Sequence, residues 1–199
     1  MVELNELDQQ ISIVLDDFRL AHTRSVKDEC QILASLFSLN EEDTFTLLQA
    51  ALLHDCTKSY NYSEQVKLAQ SMGIVLSADD LDSPAVLHSI TGAETAQVRY
   101  NASAAVVNAI ACHTTGKEDM SIVDKLLFLA DYIEPTRKFD DCRQVRRYFY
   151  EESIHLPLME RLDSTLLLAF DLTILQLIQE KRPIHPQTVK SRNFLLKKT

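Results

Sequence analysis

The adjacent residues His54 and Asp55 are the pair in this chain best suited to chemistry. They end an apolar helical pattern that begins at Thr44, where a core helix should carry nonpolar groups. An imidazole and a carboxylate on successive helical positions point about 100° apart, so a shared cation needs ligands from other helices. His22 and Asp131 lie on two other apolar patterns. Because a buried, unpaired carboxylate costs several kcal/mol, we expect Asp131 to meet a cation, a metal or strong hydrogen-bond donors.

Two further histidines, His88 and His113, also interrupt or close apolar helical patterns. Two imidazoles and two carboxylates suit a borderline divalent ion such as Fe²⁺, Mn²⁺ or Zn²⁺. A single buried histidine is more often a hydrogen-bonded core residue than a ligand, so a purely structural role stays open at this point. The joint placement of these side chains on apolar patterns favours a metal site.

Helical periodicity predicts the elements that position these residues, and no strand pattern or repeat accompanies it. Only 3 Gly and 5 Pro occur in 199 residues, too few for the many tight turns of a sandwich or barrel. We therefore expect an all-α fold and one domain over 1–199, with its core at about 19–193. The expected helices are about 4–19, 22–37, 44–55, 63–72, 84–94, 102–113, 121–133, 157–180 and 185–196, with 73–82 irregular.

The composition excludes several classes of function. A net charge of −9 argues against a nucleic-acid polymer as partner, although local basic groups such as Arg137 and Lys138 can hold a small anion. The start of the chain lacks a leader pattern, and no uninterrupted apolar run approaches the roughly 20 residues that span a bilayer. The cysteines show no C-x-x-C pairing and are expected to be reduced thiols. We expect a cytoplasmic protein without a membrane partner.

Beyond the His…His-Asp…Asp pattern, longer motifs carry a resemblance to a known family. The chain resembles the HD-domain metal-dependent phosphohydrolases, and among them the bacterial YqeK subfamily. The resemblance runs from Arg19 to Asn193 and rests chiefly on Arg19–Val26, Ala50–Lys58, Ala109–Gly116, Ala130–Arg137 and Ile184–Asn193.

This resemblance implies an HD-type helical bundle and a symmetrical bis(5′-nucleosyl)-tetraphosphatase, which cuts diadenosine tetraphosphate into two ADP with bound iron, Mn or Zn being alternatives. It implies four metal ligands: His22, His54, Asp55 and Asp131. It implies nucleotide contacts from the residues around them: Arg19, His22, Asp55, Lys58, His88, His113, Thr114, Asp131 and Arg137. We assign catalysis to Asp55, His88, His113 and Lys58, with attack by a metal-activated water.

Alternatives remain open from the sequence. His88 and His113 could bind a second metal, as in dinuclear HD enzymes. Another HD-type activity on nucleoside monophosphates or cyclic nucleotides, or a nucleotide-sensing module without turnover, would use the same ligands. The Ile184–Asn193 segment could cover the nucleotide or only cap a helix at His185. Aromatic candidates for stacking on adenine are equally plausible as core residues: Tyr60, Tyr132 and Phe139. A homodimer is left open.

Overall fold

The computed structural model describes residues 3–197, which form a helical bundle without a β-strand among them. The all-α expectation is confirmed. The helices are α1 (Leu4–Val14), α2 (Asp17–Leu36), α3 (Glu41–Leu53), α4 (Tyr62–Ser71), α5 (Ala78–Asp82), α6 (Leu87–Tyr100), α7 (Ala104–Cys112), α8 (Ile122–Ile133), α9 (Asp140–Arg147), α10 (Leu158–Gln179) and α11 (Pro186–Leu196). Pro84–Val86 forms a 3₁₀ turn before α6, and Tyr148–Glu152 a π-helical turn after α9.

The first predicted helix, 4–19, is in fact two helices. The break comes at Asp16, whose extended backbone and side chain cap α2: its carboxylate accepts a hydrogen bond from the backbone N–H of Arg19. An aspartate at this position satisfies a backbone donor that a helix start otherwise leaves free. The consequence is that Phe18, Arg19 and His22 share the first turns of one new helix.

Two other segments differ from expectation. The stretch 73–82, expected to be irregular, contains α5, which Ser77 and Asp80 start with reciprocal cap hydrogen bonds. The stretch between Pro135 and Pro157, to which no helix was assigned, forms α9 and the π-helical turn. Its eight-residue helix is so highly charged that apolar periodicity gives little signal.

One contiguous hydrophobic cluster forms the core. Helix α2 packs against α3 and α8, α7 packs against α3, α6 and α8, and α10 packs against α11 and α9. The largest fully buried side chains include Phe149, Phe170, Leu33, Leu47 and Leu126. The helices that the sequence analysis singled out for their polar residues, α2, α3, α7 and α8, therefore meet at the centre of the bundle.

Helix α10 is long and apolar enough, by length and composition alone, to cross a membrane, a test that core helices of soluble proteins also pass. Within the bundle, ion pairs connect α10 to α8 and to α11. Asp163 pairs with Lys125 of α8 at 2.5 Å, and Asp171 pairs with Arg192 of α11 at 2.7 Å. Leu166 and Phe170 of the same helix belong to the core.

Candidate metal centre

Six side chains from five helices and one turn converge in the middle of the bundle, and we call them the cage. His22 comes from α2, His88 from α6 and Asp131 from α8. His54 and His113 are the residues that end α3 and α7, and Asp55 follows in the turn after α3. All of the metal-competent residues expected from the sequence are thus brought together: His22, His54, Asp55, His88, His113 and Asp131.

One side of the cage, the cation side, is formed by two imidazoles and two carboxylates. The Nε2 atom of His22 lies 3.0 Å from Oδ1 of Asp131 and 3.8 Å from Oδ2 of Asp55. The Nε2 atom of His54 lies 3.7 Å from Asp131 Oδ1 and 3.8 Å from Asp55 Oδ2. Four ligand atoms of the types that divalent transition metals accept therefore face a common point.

The ring nitrogens of these two histidines are assigned by their other contacts. Nδ1 of His54 lies 2.7 Å from the carbonyl oxygen of Ala51, which can only accept, so Nδ1 carries the proton and Nε2 a lone pair. Nε2 of His22 and Nε2 of His54 are both buried, and within the described part of the chain neither makes a well-aligned hydrogen bond, although Nε2 of His22 lies 3.0 Å from Oδ1 of Asp131. Nδ1 of His22 contacts the carboxylate of Glu134, so both rings turn Nε2 toward Asp55 and Asp131, an arrangement that a cation would satisfy.

Glu134 is a functional candidate that the sequence analysis missed. It is fully buried at the end of α8, and its Oε1 lies 3.1 Å from Nδ1 of His22. It also accepts hydrogen bonds from the backbone N–H and the hydroxyl of Thr136, both at 2.6 Å. Although burial opposes it, these bonds lower the pKa of Glu134 to about 2. Its spacing of three residues from Asp131 places it on the same helix face and could have revealed it.

The opposite side of the cage, the histidine side, has a different composition. Oδ1 of Asp55 lies 3.3 Å from Nε2 of His88 and 3.8 Å from Nε2 of His113, and the two histidine nitrogens lie 3.0 Å apart. Nζ of Lys58 lies 2.9 Å from Nε2 of His88 and 3.8 Å from Asp55 Oδ1. Nδ1 of His113 donates to the carbonyl of Ile110 at 2.7 Å, which leaves Nε2 as the acceptor.

Burial and the neighbouring charges shift the pKa values of Asp55 and His22 in opposite directions. Burial acts to raise the pKa of Asp55, but His54, His88 and Lys58 hold it well below the usual range. Burial acts to lower the pKa of His22, but the acceptors Asp131 and Glu134 raise the pKa of its imidazole to about 9.

The remaining histidines and the second aspartate complete this picture. Burial, together with the neighbouring His88 and His54, lowers the pKa of His113 to about 3. Burial opposes a low pKa at Asp131, but Arg137 and His22 hold it well below the usual range. The cation side thus carries the carboxylates of Asp55 and Asp131, and Arg19 and Arg137 offset part of their charge.

Basic side chains surround the cage where the sequence analysis expected phosphate contacts. Arg19 reaches Oδ2 of Asp55 at 3.4 Å, and Arg137 reaches Oδ1 of Asp131 at 2.6 Å. The buried hydroxyl of Thr114 has no hydrogen-bond partner within residues 3–197. Thr114 lines a cavity of about 300 Å³ with Lys58 and Arg137, which we call the inner cavity.

Other sequence candidates lie at or beyond the edge of the site. His185 caps α11 through Nδ1, which accepts from the N–H of Gln187 at 3.2 Å, and its Nε2 contacts Asp80 of α5 at 3.1 Å. The Ile184–Asn193 segment therefore caps a helix. It also lines a cavity of about 220 Å³ that shares Thr114 with the inner cavity. Cys56 is buried, which raises the pKa of its thiol to about 12 and makes it unreactive.

Comparisons with known proteins show the family to which this chain belongs. The HD domain family model matches residues 19–136. A Halalkalibacterium halodurans protein named bis(5′-nucleosyl)-tetraphosphatase, symmetrical, is 30% identical over 92% of this chain and 91% of its own length. A Bacillus subtilis protein of the same name is 27% identical over 92% and 91%. A crystal structure of a predicted HD superfamily hydrolase involved in NAD metabolism, from Clostridium acetobutylicum, is 28% identical with a TM-score of 0.86 over all of both chains.

Proposed function

Since this chain belongs to the HD-domain family, and within it to the symmetrical bis(5′-nucleosyl)-tetraphosphatases, we propose that it hydrolyses diadenosine tetraphosphate to two ADP at the cage. It is a hydrolase, as its curated relatives are. The intact set of four candidate ligands supports turnover over a sensing role. The free thiols of the chain fit the reducing cytoplasm, where we place the enzyme.

The observation that carries the proposal is the convergence of the buried Nε2 atoms of His22 and His54 on two carboxylates, those of Asp55 and Asp131. We assign the metal to these histidines with Asp55 and Asp131, and Glu134 orients His22 from behind, as carboxylates commonly do for metal-bound histidines. A divalent cation held there, for which we propose iron, would supply Lewis acidity that lowers the pKa of a water and polarises a phosphoryl oxygen. Mn²⁺ and Zn²⁺ suit the same ligands.

Asp55 has a double role in this proposal. Its Oδ2 faces the cation side and its Oδ1 faces His88 and His113, so one carboxylate borders both halves of the cage. It can orient the attacking water and accept its proton. Nε2 of His113 is a hydrogen-bond acceptor in this geometry, which favours a proton-accepting role over donation to phosphate.

The basic side chains around the cage neutralise the negative charge of the tetraphosphate. Water attacks one inner phosphorus, the central P–O–P bridge breaks at that atom, and the bridging oxygen leaves with the second ADP. Arg19 and Arg137 stand beside the two aspartates, and Lys58 stands on the histidine side. Their charged donors neutralise the equatorial and leaving oxygens as the bridge breaks. Thr114 offers a free hydroxyl to a neighbouring phosphate or ribose oxygen.

The inner cavity fits one nucleoside of the substrate. Its volume of about 300 Å³ lies at the lower end of the range for small-molecule pockets. Tyr132 and Phe128 supply aromatic surface, while Thr173 and Gln176 of α10 supply hydrogen-bonding groups. Of the three aromatic candidates, Tyr132 and Phe139 line this cavity, which supports their contact with a base.

The test combines metal analysis with product analysis on one preparation. Protein purified without oxygen should contain about one iron per chain, and chromatography should show two ADP formed per diadenosine tetraphosphate consumed. ATP with AMP as products would contradict symmetrical cleavage. Faster hydrolysis of nucleoside monophosphates or cyclic nucleotides would support the other HD-type activities. Metal-free protein whose thermal stability is unchanged by Fe²⁺ or Mn²⁺ would indicate purely structural histidines.

A further inference from the structure

A second cavity, of about 420 Å³, adjoins the cage beside the inner cavity, and we call it the outer cavity. The two cavities share three lining residues: Lys58, Arg137 and Phe139. The outer cavity also reaches the cage itself, because His22 lines it. A ligand that fills both cavities therefore passes over the basic pair Lys58 and Arg137, next to the metal ligands.

Two aromatic rings line the outer cavity while remaining largely in solvent. Phe18 is 77% exposed and Phe139 is 70% exposed. A single exposed aromatic residue needs no explanation, but two in one cavity form an apolar surface that water solvates poorly. Neither ring belongs to the hydrophobic core cluster, so folding does not account for their position.

Phe18 is joined to the cage by short steps along α2. It precedes His22 by four residues, so the two side chains are neighbours on one helix face, about one turn apart. The guanidinium of Arg19 lies 6.0 Å from the centroid of the Phe18 ring while also reaching Asp55. A group stacked on Phe18 is thus separated from the cage by one side chain, that of Arg19.

The charges of the outer cavity suit a polyphosphate leading to a flat, neutral ring system. Four basic side chains line it: Arg19, Lys58, Arg137 and Lys138. The acidic lining residue, Glu134, is already engaged by His22 and Thr136. Bases of nucleotides stack on exposed aromatic rings in this way, and the attraction tolerates any base because every base has a π-face.

We propose that Phe18, together with Phe139, forms a stacking site for the second nucleobase of the dinucleotide. The proposal rests on the proposed function and deepens it. One nucleoside occupies the inner cavity, the four phosphates cross Lys58 and Arg137, and the second base lies against Phe18 in the outer cavity. Recognition of a nucleoside at each end separates a dinucleoside polyphosphate from a mononucleotide carrying the same phosphates.

The first test compares two substrates in variants at Phe18. Phe18→Ala should lower kcat/KM for diadenosine tetraphosphate by roughly 5- to 150-fold, the range spanned by removal of one base–aromatic stack. It should change kcat/KM for adenosine tetraphosphate far less, because its single base can use the inner cavity. Phe18→Trp should restore the preference for the dinucleotide, and Phe18→Leu should not. The matched control is Val98→Ala, on the exposed far end of α6.

The second test measures binding without turnover. The chain contains no tryptophan, so Phe18→Trp introduces a single indole, whose fluorescence should be quenched when ADP fills both cavities. Val98→Trp should show no such quenching. The proposal is overturned if ADP leaves the fluorescence of Phe18→Trp unchanged, if Phe18→Leu matches the wild type, or if Phe18→Ala affects both substrates equally. Wild-type protein that cleaves neither substrate would instead refute the proposed function, whereas quenching by ADP would still locate the base.

Discussion

The two oxygens of Asp55 face surroundings of opposite character. On the cation side, Oδ2 faces Nε2 of His22 and Nε2 of His54, and both of these nitrogens also face Asp131. On the histidine side, Oδ1 faces two histidines that contact each other and the ammonium of Lys58. Each side has a pair of imidazoles and the shared aspartate, and the two sides differ in their other charges. Asp131 stands on the cation side, where Arg137 and Arg19 contact the carboxylates, and Lys58 stands on the histidine side.

The charged residue that completes each side bears on whether that side can hold a cation. Asp131 offers a carboxylate oxygen, whose charge Arg137 offsets at 2.6 Å in the absence of a metal, whereas Lys58 offers no anionic ligand and adds a positive charge. Two unit charges about 4 Å apart interact by about 4 kcal/mol at an effective dielectric constant of 20. This energy opposes a cation beside Lys58, whereas the carboxylate of Asp131 can bind one. Histidine count alone therefore does not predict metal number, and we expect one metal on the cation side with phosphate bound on the histidine side.

The largest effect is expected at the residue common to both sides. Asp55→Ala should reduce turnover of diadenosine tetraphosphate to background and also lower metal content, because it removes a ligand and the proton acceptor together. Turnover and metal analysis of the same preparation check this. Glu29→Gln is the matched control, since Glu29 is a buried carboxylate outside the cage that accepts a hydrogen bond from Tyr150. A variant at Asp55 with wild-type turnover would refute both roles.

Variants of one histidine from each side should separate metal binding from chemistry. His113→Ala should keep its metal and lose about 10²- to 10⁴-fold in kcat, the usual contribution of a positioned acid or base. His54→Ala should lose the metal itself. The exposed His155 provides the control His155→Ala. Equal metal loss in both cage variants would show that the two sides bind metal alike, and the comparison would fail.

The smallest effect is expected at Glu134, whose carboxylate contacts Nδ1 of His22. Glu134→Gln keeps the shape of the side chain but weakens the hydrogen bond that orients His22. We expect metal affinity to fall by about 10- to 100-fold, as for other residues that orient a metal-bound histidine. Competition with a metal chelator measures it, and activity should return at high metal concentration. Unchanged affinity would mean that Glu134 serves only to hold Thr136 and the end of α8.

The sequence was most informative where a polar side chain interrupts an apolar pattern. His22, His54 and Asp131 stand out on this basis, and the structure brings them together. Glu134 stands at the end of its helix next to Pro135, where polar residues are common, so the pattern conceals it. Phe18 was hidden by the expected continuous helix over 4–19, because the cap at Asp16 depends on a local side-chain hydrogen bond rather than on periodicity.

The fold was predictable for similar reasons. Long amphipathic helices such as α2 and α8 repeat apolar residues often enough to be recognised. Helix α9 has only Cys142 and Val145 buried within eight residues, and its position comes from tertiary contacts. Arg146, for example, donates to the carbonyl oxygens of Ile133 and Arg137 in the segment that precedes it. Such contacts cannot be derived from periodicity.

The helix-ending positions of His54 and His113 bear on how the protein folds. Each ring is bonded through Nδ1 to a carbonyl three residues earlier, so its orientation is set within one turn of its own helix. Turns of helix form in under a microsecond, much faster than most bundles assemble. The orientation of both rings can therefore be set as soon as α3 and α7 form, before the other helices pack around the cage.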